Sequence, residues 1–105
     1  MSARERLPNR RASTTLRLEC AGLHYICTYS RYPDGRIGEL FISNQKSNSA
    51  ADTNARDSAS VCSIALQCGA DIEMIRNALS RDAKGRPSGP LGAALDLLAE
   101  QKRGL

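Results

Sequence analysis

A short polar segment, Lys46, Ser47, Asn48 and Ser49, carries the residue types best suited to hold a negatively charged group. It stands directly before a helix-like run, where the first backbone amides have no partner within the helix. Such amides, together with a nearby cation, commonly bind phosphate or carboxylate. Arg56 follows further along the same run and supplies a second cation if it faces the same opening. The segment therefore predicts a phosphate-binding or other anion-binding site at these five residues.

The same segment also has a purely structural interpretation. Ser49-Ala50-Ala51-Asp52 fits the S/T-x-x-D/E pattern of a capping box. Ser49 would accept a hydrogen bond from the amide of Asp52 or its neighbour, and the Asp52 carboxylate would favour the positive end of the helix. That carboxylate would repel a bound anion unless it pointed away. Both interpretations begin a helix here, and the sequence leaves them open.

The other reactive side chains form no obvious catalytic or metal site. The four cysteines contain no C-x-x-C pair, and the single histidine, His24, has no second histidine to work with. His24, Cys27 and Asp34 are the remaining general-base or nucleophile candidates, and no telling spacing groups them. We therefore expect no catalytic residue, no metal and no cofactor, and an independent enzyme is the least favoured of three functional hypotheses.

Positive charge is concentrated near the N-terminus. The formal net charge is +4, and residues 1–13 hold four arginines and one glutamate. Their polar, arginine-rich composition predicts a disordered basic tail, followed by a single domain over residues 14–105. An alternative function is nucleic-acid binding through this tail and a basic loop at residues 81–89. The cations of that loop are Arg81, Lys84 and Arg86.

Three runs of alternating residues predict β-strands at 14–20, 23–30 and 36–43. Ala21-Gly22 suits a two-residue hairpin, and the YPDG sequence at residues 32–35 suits a second tight turn. Strands joined in this way form an antiparallel meander. Its open edges invite pairing with another chain, so we expect a homodimer.

Three helix-like runs follow the strands. Residues 49–68 carry apolar or small side chains at spacings of three and four, and Gly69 is placed to end that helix. Asp71 suits the N-cap of a second helix, and Pro90 the first turn of a third that ends at Gly104. The order predicts an α+β domain, in which three helices pack on one face of a three-stranded antiparallel meander.

Targeting signals are lacking. The N-terminus has no apolar segment typical of a secretory signal, and no run approaches the roughly 20 apolar residues that span a bilayer. Cysteines without an evident disulfide framework are typical of a reducing compartment. We therefore expect a cytoplasmic protein without membrane contact.

Three stretches in this order resemble the TSCPD domain, which is associated with ribonucleotide reductases, notably at the C-terminal end of cobalamin-dependent ones. They are DGRIGELFI, then Lys46-Ser47-Asn48-Ser49, then SIALQCGADIEMIRNAL. The resemblance covers residues 14–99, and such domains also exist as short stand-alone proteins. It implies a module related to ribonucleotide reductase and DNA synthesis, which binds a nucleotide or another phosphorylated small molecule or docks on a reductase subunit.

The chain also departs from that family. The Thr-Ser-Cys-Pro-Asp motif that names the domain is absent, and no cysteine follows Cys68. A reductase barrel does not fit within 105 residues. The resemblance therefore implies an accessory role without a reductase active site.

Overall fold

The computed structural model describes residues 3–103. The elements are β1 (Ser13–Cys20), β2 (Leu23–Arg31), β3 (Ile37–Asn44), α1 (Ala50–Gln67), α2 (Ile72–Ala78) and α3 (Pro90–Arg103). The strands form one antiparallel sheet in the order β1-β2-β3. The predicted α+β fold is confirmed. The predicted end of the third helix, Gly104, lies outside the described residues.

The β1–β2 turn has the backbone that a two-residue hairpin requires. Ala21 and Gly22 have φ values of 52° and 80°, and Cys20 pairs with Leu23 on either side of them. Positive φ at both central residues is characteristic of a type I′ turn, whose twist matches the twist of the strands. The turn therefore fixes the register of β1 against β2.

The hydrophobic core lies between one face of the sheet and the helices α1 and α3. Small residues on α1 let the helix approach the sheet closely, and leucines on α3 fill the remaining space. The sheet contributes Leu18, Cys27, Leu40 and Ile42, α1 contributes Ala55, Ala59, Cys62 and Leu66, and α3 contributes Leu91, Ala94, Leu95 and Leu98. Within residues 3–103 no helix lies over the opposite face. Phe41 and Ile26 on that face are exposed, whereas Glu39 is buried beneath Arg11 of the N-terminal segment.

The N-terminal segment, residues 3–12, precedes β1 and contacts elements that are distant from it in sequence. The backbone amide of Glu5 donates to the carbonyl of Gln67 over 2.7 Å, and the Tyr32 hydroxyl donates to the carbonyl of Glu5 over 2.6 Å. These bonds join the segment to the end of α1 and to the β2–β3 turn. The expected disorder of residues 1–13 stays a prediction.

Candidate functional site

The predicted anion segment forms the connection between β3 and α1. Ser49 is the N-cap of α1: its hydroxyl accepts from the amide of Asp52 over 3.1 Å and donates to the carbonyl of Lys46 over 2.7 Å. Asn48 adopts a left-handed φ of 61°, which turns the chain into the helix. The structure therefore shows the capping arrangement that was one of the two interpretations of this segment.

The carboxylate of Asp52 fills the position in which an external anion was expected. One oxygen accepts from the amide of Asn44 over 2.9 Å. The other accepts from the amide of Asn48 over 3.3 Å and from Nε of Arg56 over 2.9 Å. Asp52 is only 3% exposed, and these donors, led by the Asn44 amide, lower the pKa of its carboxyl below the usual value. The positive end of α1 is thus neutralised from within.

The five predicted residues are close in sequence but do not converge on a shared opening. Arg56 is held by Asp52, whereas Lys46 and Ser47 are exposed. Lys46 lines a separate shallow depression of about 350 Å³ together with His24. A phosphate at the predicted position would have to replace the Asp52 carboxylate on its donors. Anion binding by this segment stays a prediction.

A larger structural role of α1 is to cover the outer edge of β3 with polar side chains. Nε2 of Gln67 donates to the carbonyl of Gly38 over 2.9 Å. The Ser63 hydroxyl accepts from the amide of Leu40 over 2.8 Å and lies 3.0 Å from the carbonyl oxygen of the same residue. With the Asp52 bond, these contacts satisfy outward-facing backbone groups of the strand at Gly38, Leu40 and Asn44.

Sequence reasoning did not identify these contacts between α1 and the edge of β3, because each residue involved is ordinary when it is considered alone. Asp52, Ser63 and Gln67 are spaced by 11 and 4 residues, which places them on one face of an α-helix. Polar residues within an otherwise apolar helix face were the available signal. Buried polar side chains require hydrogen-bond partners, so this pattern indicates a strand edge beside the helix.

The uncovered face of the sheet carries an apolar patch. Phe41 is 58% exposed and Ile26 is 46% exposed. Thr15, Thr28 and Phe41 lie side by side across the three strands, and Arg17 lies beside Ile26. We call Ile26, Thr28 and Phe41 the outer patch. It is an apolar surface with a charged border, which is suited to a protein contact.

The basic loop after α2 is neutralised largely by its own domain. Arg81 makes two bonds to the Asp96 carboxylate, of 2.9 and 2.7 Å, and Arg86 bonds to Asp82 over 3.0 Å. The bonds from Arg81, and a further one from Arg76, lower the pKa of Asp96 to about 2. These pairs leave little free positive charge in the loop for a nucleic-acid backbone.

A cleft of about 630 Å³ opens between the β2–β3 turn, the start of α2, and α3. Its floor is apolar, with Leu66 and Leu98 among the residues that line it. Its rim includes Arg36, Asp71 and Glu73, so both signs of charge are present. This mixed border does not favour an anion.

The cysteines show no reactive arrangement. Burial raises the pKa of Cys27 and of Cys62 to about 11, so both thiols are protonated at neutral pH. Cys68 is exposed at the end of α1. Among residues 3–103, no three His, Cys, Asp or Glu side chains lie close enough to hold a metal ion together. Over the same residues, no helix has the length and apolarity needed to cross a membrane.

Sequence comparison relates the chain to one small part of much longer proteins. It is 41% identical over 78 residues to a vitamin B12-dependent ribonucleotide reductase of Rhodopirellula baltica. It is 30% identical over 91 residues to the enzyme of the same name from Bradyrhizobium diazoefficiens, and 36% identical over 70 residues to that from Agrobacterium fabrum. The matches cover 73%, 87% and 67% of this chain, but only 7%, 7% and 6% of the respective reductases.

These matches confirm the resemblance to a ribonucleotide reductase-associated domain. No family model and no solved structure matches the chain. The relationship concerns a segment of about 70 to 90 residues in each reductase. The chain is therefore related to one domain-sized part of these enzymes.

Proposed function

We propose that this chain, being related to a segment of vitamin B12-dependent ribonucleotide reductases, is an accessory domain that docks on a reductase of that kind. The similarity carries the proposal: it extends over most of this chain but over about 7% of each relative. In the relatives the corresponding segment is part of the same chain as the rest of the reductase. A domain related to that segment would bind the reductase surface beside which the segment lies. Such a role is compatible with a cytoplasmic protein.

The outer patch is the surface that we assign to this contact. It lies on the face of the sheet that no helix within residues 3–103 covers, and its two largest residues, Phe41 and Ile26, are about half exposed. Aromatic side chains of this kind often contribute much of the binding energy of an interface. Arg17 and Glu19 border the patch on β1 and would set the orientation of a partner.

The test uses the Rhodopirellula baltica reductase with its matching segment deleted. Titration calorimetry should show that the present chain binds this shortened enzyme. Phe41→Glu should weaken binding at least tenfold, because it places a charge in the centre of the contact. Val61→Glu is the matched control, since Val61 is 68% exposed on α1, away from the outer patch.

The outcomes separate the two parts of the proposal. Absence of binding to the shortened reductase, under conditions in which both proteins are folded, would refute the accessory role. Binding that Phe41→Glu leaves unchanged would refute the outer patch as the contact surface. Binding that Val61→Glu abolishes would instead place the contact on α1.

The same calorimeter tests the second prediction from the sequence, binding of a nucleotide or another phosphorylated small molecule near Lys46. Inorganic phosphate and a nucleoside diphosphate are titrated into the wild-type chain and into Lys46→Ala. Heat that disappears in the variant would support the site. Because Asp52 already holds the donors at the helix start, phosphate would have to displace its carboxylate. No heat in the wild type, or equal heat in Lys46→Ala, would refute the site.

A further inference from the structure

The two edges of the sheet differ in whether their outward-facing backbone groups are hydrogen-bonded. On β3, the side chains of α1 hydrogen-bond the backbone at Gly38, Leu40 and Asn44. On β1, among residues 3–103, no side chain or loop bonds the backbone of Thr15, Arg17 or Glu19 on its open side. A strand with unpaired N–H and C=O groups is a template for another strand. The open edge of this sheet is therefore β1.

Which residues of β1 point outward follows from the hairpin. In a two-residue hairpin the flanking residues, Cys20 and Leu23, exchange both backbone bonds. Bonded pairs then alternate, so Leu18 and Leu16 bond to β2, whereas the odd-numbered residues point away. The other edge gives the same alternation. Leu40 bonds to Ser63 of α1, so its neighbour Tyr29 must direct its backbone towards β1.

We infer that β1 pairs with β1 of a second copy of this chain, antiparallel about a two-fold axis at Leu18. This register places Arg17 of each copy opposite Glu19 of the other, so that two cross-strand ion pairs form. A shift of the axis to Arg17 would place two arginines opposite each other. The alternating charges of β1 therefore select the Leu18 register over that neighbour, since opposite charges across a strand pair are favourable and like charges are not.

Both faces of β1 suit this pairing. Arg17 and Glu19 are exposed on the uncovered face, and Arg17 makes no ion pair with any residue in the range 3–103. The carboxylate of Glu19 lies 3.8 Å from the ring of His24, which leaves its other side free. On the covered face, Leu16 is only partly buried, and in the pair it would pack against Cys20 of the second copy. The result is a continuous six-stranded sheet.

Sedimentation equilibrium of the full chain tests the inference, and it does not depend on a reductase. The wild type should form dimers. Arg17→Glu and Glu19→Arg should each raise the dimer Kd on the order of tenfold, because both cross-strand pairs turn from attractive to repulsive. The double variant Arg17→Glu/Glu19→Arg restores both pairs and should restore the wild-type Kd. Asp57→Arg is the control, because it makes the same change of charge as Glu19→Arg at an exposed position on α1.

Each result decides the question. A wild type that stays monomeric up to its solubility limit would overturn the inference. A dimer that the single variants leave intact would overturn the Leu18 register, as would a double variant that is not restored. Equal weakening by Asp57→Arg would show an effect of net charge and would also overturn it. Circular dichroism confirms that each variant is folded.

Discussion

The clearest stability prediction concerns Ser63, whose hydroxyl joins α1 to the edge of β3. Its oxygen accepts from the buried amide of Leu40 over 2.8 Å, and its hydrogen is shared between the carbonyls of Leu40 and Ala59, at 3.0 and 2.9 Å. Ser63 is 8% exposed. Ser63→Ala removes the acceptor and leaves the Leu40 amide without a partner.

The size of the effect follows from two opposing terms. A buried N–H group that loses its partner costs about 1–3 kcal/mol. Alanine is a better helix former than serine, which returns a few tenths of a kcal/mol. We therefore expect Ser63→Ala to reduce the free energy of unfolding by about 2 kcal/mol, within the range of that penalty. For a domain of about 100 residues this lowers the Tm by about 8–16 °C.

The control is Ser60→Ala, an exposed position one turn earlier on the same helix. It gains the same helix propensity without losing a bond to β3. Urea denaturation of both variants and of the wild type gives the comparison, and hydrogen exchange should show a faster Leu40 amide only in Ser63→Ala. If the two variants differ by less than about 0.5 kcal/mol, a range ordinary for surface substitutions, the hydroxyl does not seal the edge.

Two further predictions concern the ion pairs of Asp96 and the attachment of the N-terminal segment. Because the pKa of Asp96 is lowered to about 2, its contribution to stability is present above an unfolded-state pKa of about 3.9 and is lost as the pH falls towards 2. Asp96→Asn should therefore melt below the wild type at neutral pH, and the difference should shrink between about pH 4 and 2; a gap that stays constant with pH would contradict this. Gly38→Ala would place a Cβ 2.7 Å from the Tyr32 ring and so displace the hydroxyl that bonds Glu5. Trypsin should then cleave after Arg6 faster than in the wild type or in the control Gly89→Ala, where a Cβ meets nothing within 4 Å. Equal cleavage rates would show that the Tyr32 bond does not hold the segment. The wild-type rate also tests the disorder predicted for residues 1–13.

The fold could be predicted because its signals are local. Alternation marked the three strands, Ala21-Gly22 marked the hairpin, and Ser49, Asp71 and Pro90 marked the helix starts. Each of these depends on residues that are neighbours in sequence. The order of elements then left few arrangements in which one sheet face is covered.

The site could not be predicted in the same way, because its outcome depends on a long-range contact. Asp52 was recognised as a helix-capping residue, but nothing local indicates that its carboxylate reaches the amide of Asn44 on β3. The contact requires α1 to lie along the strand edge, and that is decided by packing. An anion site and an internal carboxylate call for the same donors, so the sequence pattern alone does not distinguish them.

The difference between the two edges has a consequence for how the protein associates. A sheet with two open edges can add copies at both ends and form open-ended assemblies, whereas a sheet with one open edge closes after a single pairing about a two-fold axis. Here Ser63, Gln67 and Asp52 hydrogen-bond the edge of β3, whereas among residues 3–103 nothing bonds the outward backbone groups of β1. The cover that α1 provides over β3 would therefore limit association to a single pairing at β1, that is, to a dimer. Loss of a hydrogen bond between α1 and β3 should therefore allow assemblies larger than a dimer as well as lower the free energy of unfolding. Both effects should appear together in Ser63→Ala.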